Sequence, residues 1–84
     1  MGRSVVVYTQ PGCLFCDKVK TFLRERGVAF VEKDVMADEQ AFAELEAKGF
    51  FATPVTVIDG QAVVGFNRAR LVALLDSGPH ESQS

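Results

Sequence analysis

The chain predicts an α/β fold, a four-stranded mixed sheet flanked by helices in the order β-α-β-α-β-β-α. Three observations carry this. Short β-branched runs alternate with stretches of helical period. The first strand, helix and strand should form a right-handed crossover with those two strands parallel. Asp59-Gly60 between two apolar runs signals a two-residue hairpin, which makes the last two strands antiparallel. With 84 residues, 48% of them hydrophobic, there is material for one small core and no second.

Each element has a local reason. Ser4 to Tyr8 is a β-branched and aromatic run, read as a strand buried on both faces, and Thr9-Gln10-Pro11-Gly12 ends it. From Cys13 to Arg26 the apolar residues Cys16, Val19, Phe22 and Leu23 recur at helical steps between charged positions, and Gly27 stops the helix. Residues 28–35 form a second strand, placed at an edge because Glu32-Lys33-Asp34 carries three charges in a row. Asp38 caps a helix running through Gln40, Phe42, Leu45 and Lys48 to Gly49, whose narrow apolar stripe puts it at the periphery. Thr53-Pro54 opens the strand Val55 to Ile58, and Gln61 to Val64 returns beside it. Asn67 caps a last helix carrying Leu71, Val72, Leu74 and Leu75, ended by Ser77-Gly78-Pro79. Residues 1–77 therefore read as one domain and 78–84, with His80, as a polar tail.

Charge and hydropathy narrow the function. Nine basic and eleven acidic residues leave a net charge of −2, with no footprint for nucleic acid or for an anionic membrane surface. No apolar stretch approaches the roughly 18 residues of a membrane span, and Met1-Gly2-Arg3-Ser4 precedes too short an apolar run for a signal peptide. A cytoplasmic monomer is the expectation. In a reducing compartment, a lone pair of cysteines three residues apart, Cys13 and Cys16, points to redox or metal chemistry rather than to a structural staple.

The placement of that pair favours redox chemistry. Residues three apart on a helix have Cβ atoms about 5–6 Å apart, and a disulfide needs about 3.8 Å, so the bond can close and open without unfolding the domain. Cys13 stands where a strand has ended and a helix begins, so free backbone N–H groups and the positive end of the helix dipole favour its thiolate. Cys13 is thus the expected accessible nucleophile. Cys16, one turn further in and on the apolar stripe, is the expected resolving thiol. A four-coordinate zinc site wants four Cys or His ligands, and the chain offers two Cys and one His. No metal or cofactor is expected, the competing reading being a dimer that holds a metal or an iron–sulfur cluster through Cys13 of each copy. Thr53-Pro54 adds a second signal. Pro at a strand start leaves neighbouring backbone free for a substrate to pair with, and an X-Pro bond can be cis at modest cost.

Together, Val7-Tyr8-Thr9-Gln10-Pro11-Gly12-Cys13-Leu14-Phe15-Cys16, Thr53-Pro54-Val55 and Gly65-Phe66 resemble the glutaredoxin family of the thioredoxin-like fold, over nearly everything from Val5 to Leu75. The resemblance implies a sheet order β2-β1-β3-β4 and a cis Thr53-Pro54 bond facing the cysteines. It also implies that Thr53 backbone groups pair with the bound thiol substrate. Substrate contacts are expected from Gln10, Pro11, Gly12, Leu14, Phe15, Thr53, Pro54, Gly65, Phe66 and Asn67. Glutathione-using members usually carry Lys where Gln10 stands and a Gly-Gly pair followed by an acid where Gly65-Phe66-Asn67-Arg68 stands. The Gly-Phe version resembles the glutaredoxin-like redoxins that serve ribonucleotide reductase and take electrons from thioredoxin reductase. A protein disulfide is therefore the expected substrate and thioredoxin reductase the expected donor. Glutathione is the alternative donor, its carboxylate held by Arg68 or by backbone N–H groups of the last helix.

Other residues receive simpler roles. Tyr8 is expected in the core and Phe15 at the surface as a possible substrate contact. One of Phe50 and Phe51 should enter the core while the other lines the groove. Lys18 and Lys20 read as a solvated helix face, with Lys20 adding to the field at the thiolate, and Asp17 as a first-turn acid.

Overall fold

The computed structural model describes residues 4–76. Seven elements follow in order: β1 (Val5–Thr9), α1 (Leu14–Glu25), β2 (Val31–Asp34), α2 (Glu39–Ala47), β3 (Val55–Ile58), β4 (Gln61–Val64) and α3 (Arg68–Asp76). The strands form one sheet in the order β2-β1-β3-β4. β1 runs parallel to β2, with Val6 opposite Val31 and Thr9 opposite Asp34. β3 lies antiparallel to β1, with Tyr8 opposite Val55, and β4 lies antiparallel to β3. The sheet is mixed, as expected, and β2 is an edge. Asp59 and Gly60 both take positive φ, 49° and 88°, the backbone that a tight hairpin with the right-handed twist of its strands requires.

Period-two alternation sorts the side chains to two faces. Val5, Val7, Ile58 and Val63 pack against Val19 and Leu23 of α1 and Leu71 and Leu75 of α3. On the opposite face Tyr8 and Val55 pack against Val35 and against Ala41 and Leu45 of α2. Helices therefore cover both faces, α1 and α3 on one and α2 on the other. Cys16 belongs to the buried stripe of α1 with Val19, Phe22 and Leu23.

Several sequence expectations shift. β1 reaches Thr9 rather than ending at Tyr8, because the Thr9 carbonyl accepts from the Val35 amide at 2.9 Å and keeps the residue in the ladder. α1 starts at Leu14, with Cys13 outside it as the cap. β2 starts at Val31, not at Val28. The Val28 amide is already used by the end of α1, where it donates to the Leu23 carbonyl at 2.9 Å beside Gly27, whose φ is 70°. Phe30 in turn lies under the Arg24 guanidinium at 5.7 Å and packs on the α1 core instead of joining the strand. Asp38 caps α2 as expected, its carboxylate accepting from the Gln40 and Ala41 amides. The stripe of α2 is built from Ala41 and Leu45, however, and Phe42 is exposed. The expected end of α3 at 77–79 and the polar tail 78–84 lie outside the described residues.

Candidate active site

The junction between β1 and α1 presents the cysteines. After Thr9 the chain turns at Pro11-Gly12, with Gly12 at φ 76°, a left-handed conformation that costs glycine little. Cys13 then stands as the helix cap with extended backbone, φ −92° and ψ 109°. Its Sγ accepts from the Cys16 amide at 3.1 Å, the position that a Ser or Asp oxygen takes at many helix starts. Cys13 and Cys16 are paired as a disulfide with Cα atoms 5.2 Å apart. Cys13 is half-buried, whereas Cys16 is 1% exposed. The same cap that meets a disulfide sulfur offers the Cys16 N–H and the open first turn of α1 to a thiolate.

Across from the cysteines runs the segment that leads into β3. The Thr53-Pro54 bond is cis. Thr53 Oγ1 donates to Cys13 Sγ at 3.9 Å, and the carbonyl of buried Pro54 accepts from the Gly65 amide at 2.8 Å. These contacts bring Cys13, Cys16, Thr53, Pro54 and Gly65 to one locus from three separate stretches of sequence. Around it Leu14, Phe15 and Phe51 stand 75%, 57% and 80% exposed. Of the phenylalanine pair, Phe50 packs on the α2 core and Phe51 faces outward.

Two concavities flank the locus, one on each face of the sheet. On the α1 and α3 face a cleft of about 530 Å³ is lined by Leu14, Lys18, Phe22, Phe66 and Arg68 among others. Phe66 meets Phe22 edge-on at 6.0 Å, and the Arg68 guanidinium lies 5.6 Å from the same ring. On the α2 face Gln10 and Thr53 border a smaller recess of about 60 Å³. Asn67 has a structural task, since its Oδ1 accepts from the Arg70 amide at 3.1 Å at the start of α3.

Two polar knots beneath the site were not anticipated. Thr9 Oγ1 and Lys20 Nζ both donate to Glu32 Oε2 at 2.9 Å, and Lys20 also lies 3.7 Å from Asp17. The Lys20 hydrogen bond holds the Glu32 carboxyl below the usual range against partial desolvation, with Thr9 assisting. Lys20 is therefore not a freely solvated cation; Glu32 and Asp17 oppose its charge. On the other face the Tyr8 hydroxyl donates to Glu44 at 3.1 Å and Lys33 donates to the same oxygen at 2.9 Å. Burial first, and Glu44 second, push the Tyr8 hydroxyl up. Alternation along β1 could have exposed Thr9, because Val5, Val7 and Thr9 share one face. Among the described residues no three His, Cys, Asp or Glu side chains are grouped to hold a metal ion. No described helix is long and apolar enough to cross a membrane.

The glutaredoxin family model matches residues 5–63, the span that carries the cysteine pair and the cis proline. The chain belongs to the glutaredoxin family. This redoxin is 33% identical over 70 residues to the glutaredoxin-like protein NrdH of Lactococcus lactis, covering 83% of this chain and 97% of that one. The crystal structure of a thioredoxin-like protein superposes with a TM-score of 0.80 at 42% identity, covering 84% of this chain and 99% of the other. The NrdH-redoxin of Escherichia coli superposes with a TM-score of 0.78 at 28% identity, covering 90% and 99%. The chain is thus a glutaredoxin-like redoxin, a thiol–disulfide oxidoreductase with its Cys-x-x-Cys pair at a helix start.

Proposed function

We propose that this redoxin reduces protein disulfides, with Cys13 as nucleophile and Cys16 as resolving thiol, and that thioredoxin reductase restores its dithiol. The Cys13 thiolate attacks one sulfur of the substrate disulfide, and the other sulfur leaves as a thiolate and takes up a proton. Cys16 then loses its proton and attacks Cys13 Sγ, which expels the second substrate thiol. Two electrons and two protons pass to the substrate, and the Cys13–Cys16 disulfide remains. Thioredoxin reductase returns the two electrons from NADPH.

The observation that carries the choice of partner is the rim. Leu14, Phe15 and Phe51 expose large apolar side chains around a half-buried sulfur, a surface that suits a protein face better than a small anionic tripeptide. Gln10 is neutral, where the resemblance to glutathione-using glutaredoxins leads one to expect a lysine. The likeness to the Escherichia coli NrdH-redoxin, described as glutaredoxin-like with a thioredoxin-like activity profile, supports the same reading. Ribonucleotide reductase is the substrate class that the resemblance proposes, and the reducing interior of the cell is the proposed setting, with the redoxin acting as a monomer.

The test is to follow reduction of the oxidised protein by NADPH with thioredoxin reductase, and in parallel by glutathione with glutathione reductase. The first is expected to be the faster by about tenfold or more, a difference of about 1.4 kcal/mol in barrier. A glutathione-reduced reading would rest on Arg68, which lines the cleft beside Leu14. Faster reduction by glutathione would establish that reading in place of this one.

A further inference from the structure

We infer that the recess beside Thr53 is a subsite for one aliphatic side chain of the polypeptide substrate and that it disfavours carboxylate-bearing partners. The inference rests on the proposed reduction of protein disulfides and specifies which sequences are favoured.

The recess is assembled from four separate stretches. Gln10 comes from the turn after β1, Met36 from the turn after β2, Phe42 and Leu45 from α2, and Phe51 and Thr53 from the segment before β3. None of its lining side chains is charged. The larger cleft on the opposite face differs in this respect, being lined by Asp17, Lys18, Glu25 and Arg68 as well as by apolar groups. A volume of about 60 Å³ is about two waters' share of liquid volume, enough for the branched end of one aliphatic side chain whose stem stays at the mouth.

The surroundings of the recess are apolar beyond what the core needs. Met36, Phe42 and Phe51 are 69%, 45% and 80% exposed, and each borders it. Phe42 is the residue that the helical pattern of α2 assigns to the core, yet Ala41 and Leu45 fill that role and leave Phe42 at the wall of the recess. Exposed large apolar groups gathered at one concavity mark a contact site rather than a packing requirement.

Thr53 joins the recess to the reacting sulfur. Its side chain borders the recess, and its Oγ1 reaches Cys13 Sγ at 3.9 Å. A substrate whose sulfur meets Cys13 therefore places nearby side chains at the recess mouth, since an extended segment advances only about 3.3–3.6 Å per residue. An aliphatic side chain within two residues of the substrate cysteine gains by leaving water there. A carboxylate would shed its hydration with no cation to replace it.

Two synthetic peptides test this, each with an intramolecular disulfide and identical except for Leu or Asp within two residues of both cysteines. Their reduction by the dithiol form of the full chain is followed by stopped flow, and each rate is divided by that of dithiothreitol on the same peptide. The Leu peptide is expected to react at least about tenfold faster, the discrimination that one apolar pocket supplies. Met36→Lys, and separately Phe51→Lys, should bring that ratio close to one, and both positions are exposed enough to accept the change. Equal normalised rates with the unaltered protein, or a ratio that neither lysine moves, overturn the subsite alone. Failure to reduce either peptide overturns the proposed reduction of polypeptide disulfides and the subsite with it.

Discussion

Thr53 Oγ1 lies 3.9 Å from Cys13 Sγ and donates to it, although forty positions separate the two residues in the chain. Thr53 stands just before the cis bond to Pro54, and Cys13 just after the turn at Pro11-Gly12. A hydroxyl there is a weak partner for a disulfide sulfur and a strong one for a thiolate, because hydrogen bonds to charged acceptors are about twice as strong as neutral ones.

The first prediction concerns that hydroxyl. Thr53→Val keeps the shape and removes the donor, so the Cys13 thiolate should form at higher pH. A lost hydrogen bond to a charged group costs about 1.5 kcal/mol, which corresponds to a rise of about one unit in the pH at which the thiolate forms. The midpoint of the pH profile for alkylation of the reduced protein by iodoacetamide should rise accordingly, and Thr53→Ser should restore it. An unchanged midpoint in the Val variant would show that the hydroxyl does not serve the sulfur.

Burial assigns different fates to the two thiols. Cys16 is enclosed on the α1 stripe, whereas Cys13 is open to attack. Cys16→Ser should therefore accumulate a stable mixed disulfide through Cys13, visible by mass spectrometry and reversed by dithiothreitol. Cys13→Ser should form none and should lose turnover by at least about a thousandfold, since no thiolate remains accessible. Trapping through Cys16 in the Cys13 variant would reverse the assignment.

Thr56 offers a stability test away from the chemistry. It is fully buried on the α1 and α3 face between Val7 and Val63, and its Oγ1 has no hydrogen-bond partner among the described residues. Replacing a buried unsatisfied hydroxyl by an isosteric methyl should stabilise the fold, by about 1 kcal/mol. Thr56→Val should accordingly raise the urea midpoint at unchanged slope. A lowered midpoint would show that the hydroxyl is satisfied in solution.

Acid and alkali should act through the two polar knots. Glu32 is held below the ordinary carboxylate range chiefly by the Lys20 hydrogen bond, and Glu44 chiefly by that of Lys33. For a lowered folded pKa the unfolded chain binds more protons in the intervening window, so the stabilisation is present above about pH 4.3 and is lost as pH falls through the folded values. Tyr8 and Lys33 are raised, Tyr8 mainly by burial and Lys33 mainly by Glu44. Their contribution is present below about pH 10 and is lost as pH rises through the folded values. Urea midpoints of the oxidised protein should therefore be flat between these limits and fall on either side. Glu32→Gln should flatten the acid limb, and an acid limb identical to that of the unaltered protein would exclude Glu32 as a contributor.

How much was legible varies by element. The hairpin at Asp59-Gly60, the caps at Asp38 and Asn67 and the stripe of α1 follow from local chemistry, and the structure has all of them. β2 starts later than strand propensity suggests because Val28 spends its N–H on the end of α1. Phe42 stays outside the core because Ala41 and Leu45 supply the buried face of α2. Lys20 reads as solvated from sequence because its partner Glu32 lies on β2, outside the helix.

The sequence alone determined the reaction: two sulfurs three residues apart at a strand-to-helix junction, and a proline opening a strand. These are local facts, set by spacing, helix geometry and the backbone groups that a helix start leaves free. Only the tertiary structure decided what surrounds the sulfurs. The Thr53 hydroxyl turned to the Cys13 sulfur, Gly65 tied to Pro54, and the recess that gathers Gln10, Met36, Phe42 and Phe51 all join residues far apart in the chain. The physical reason is that such contacts depend on how strands stack and helices settle on the sheet, and local propensity does not encode those placements.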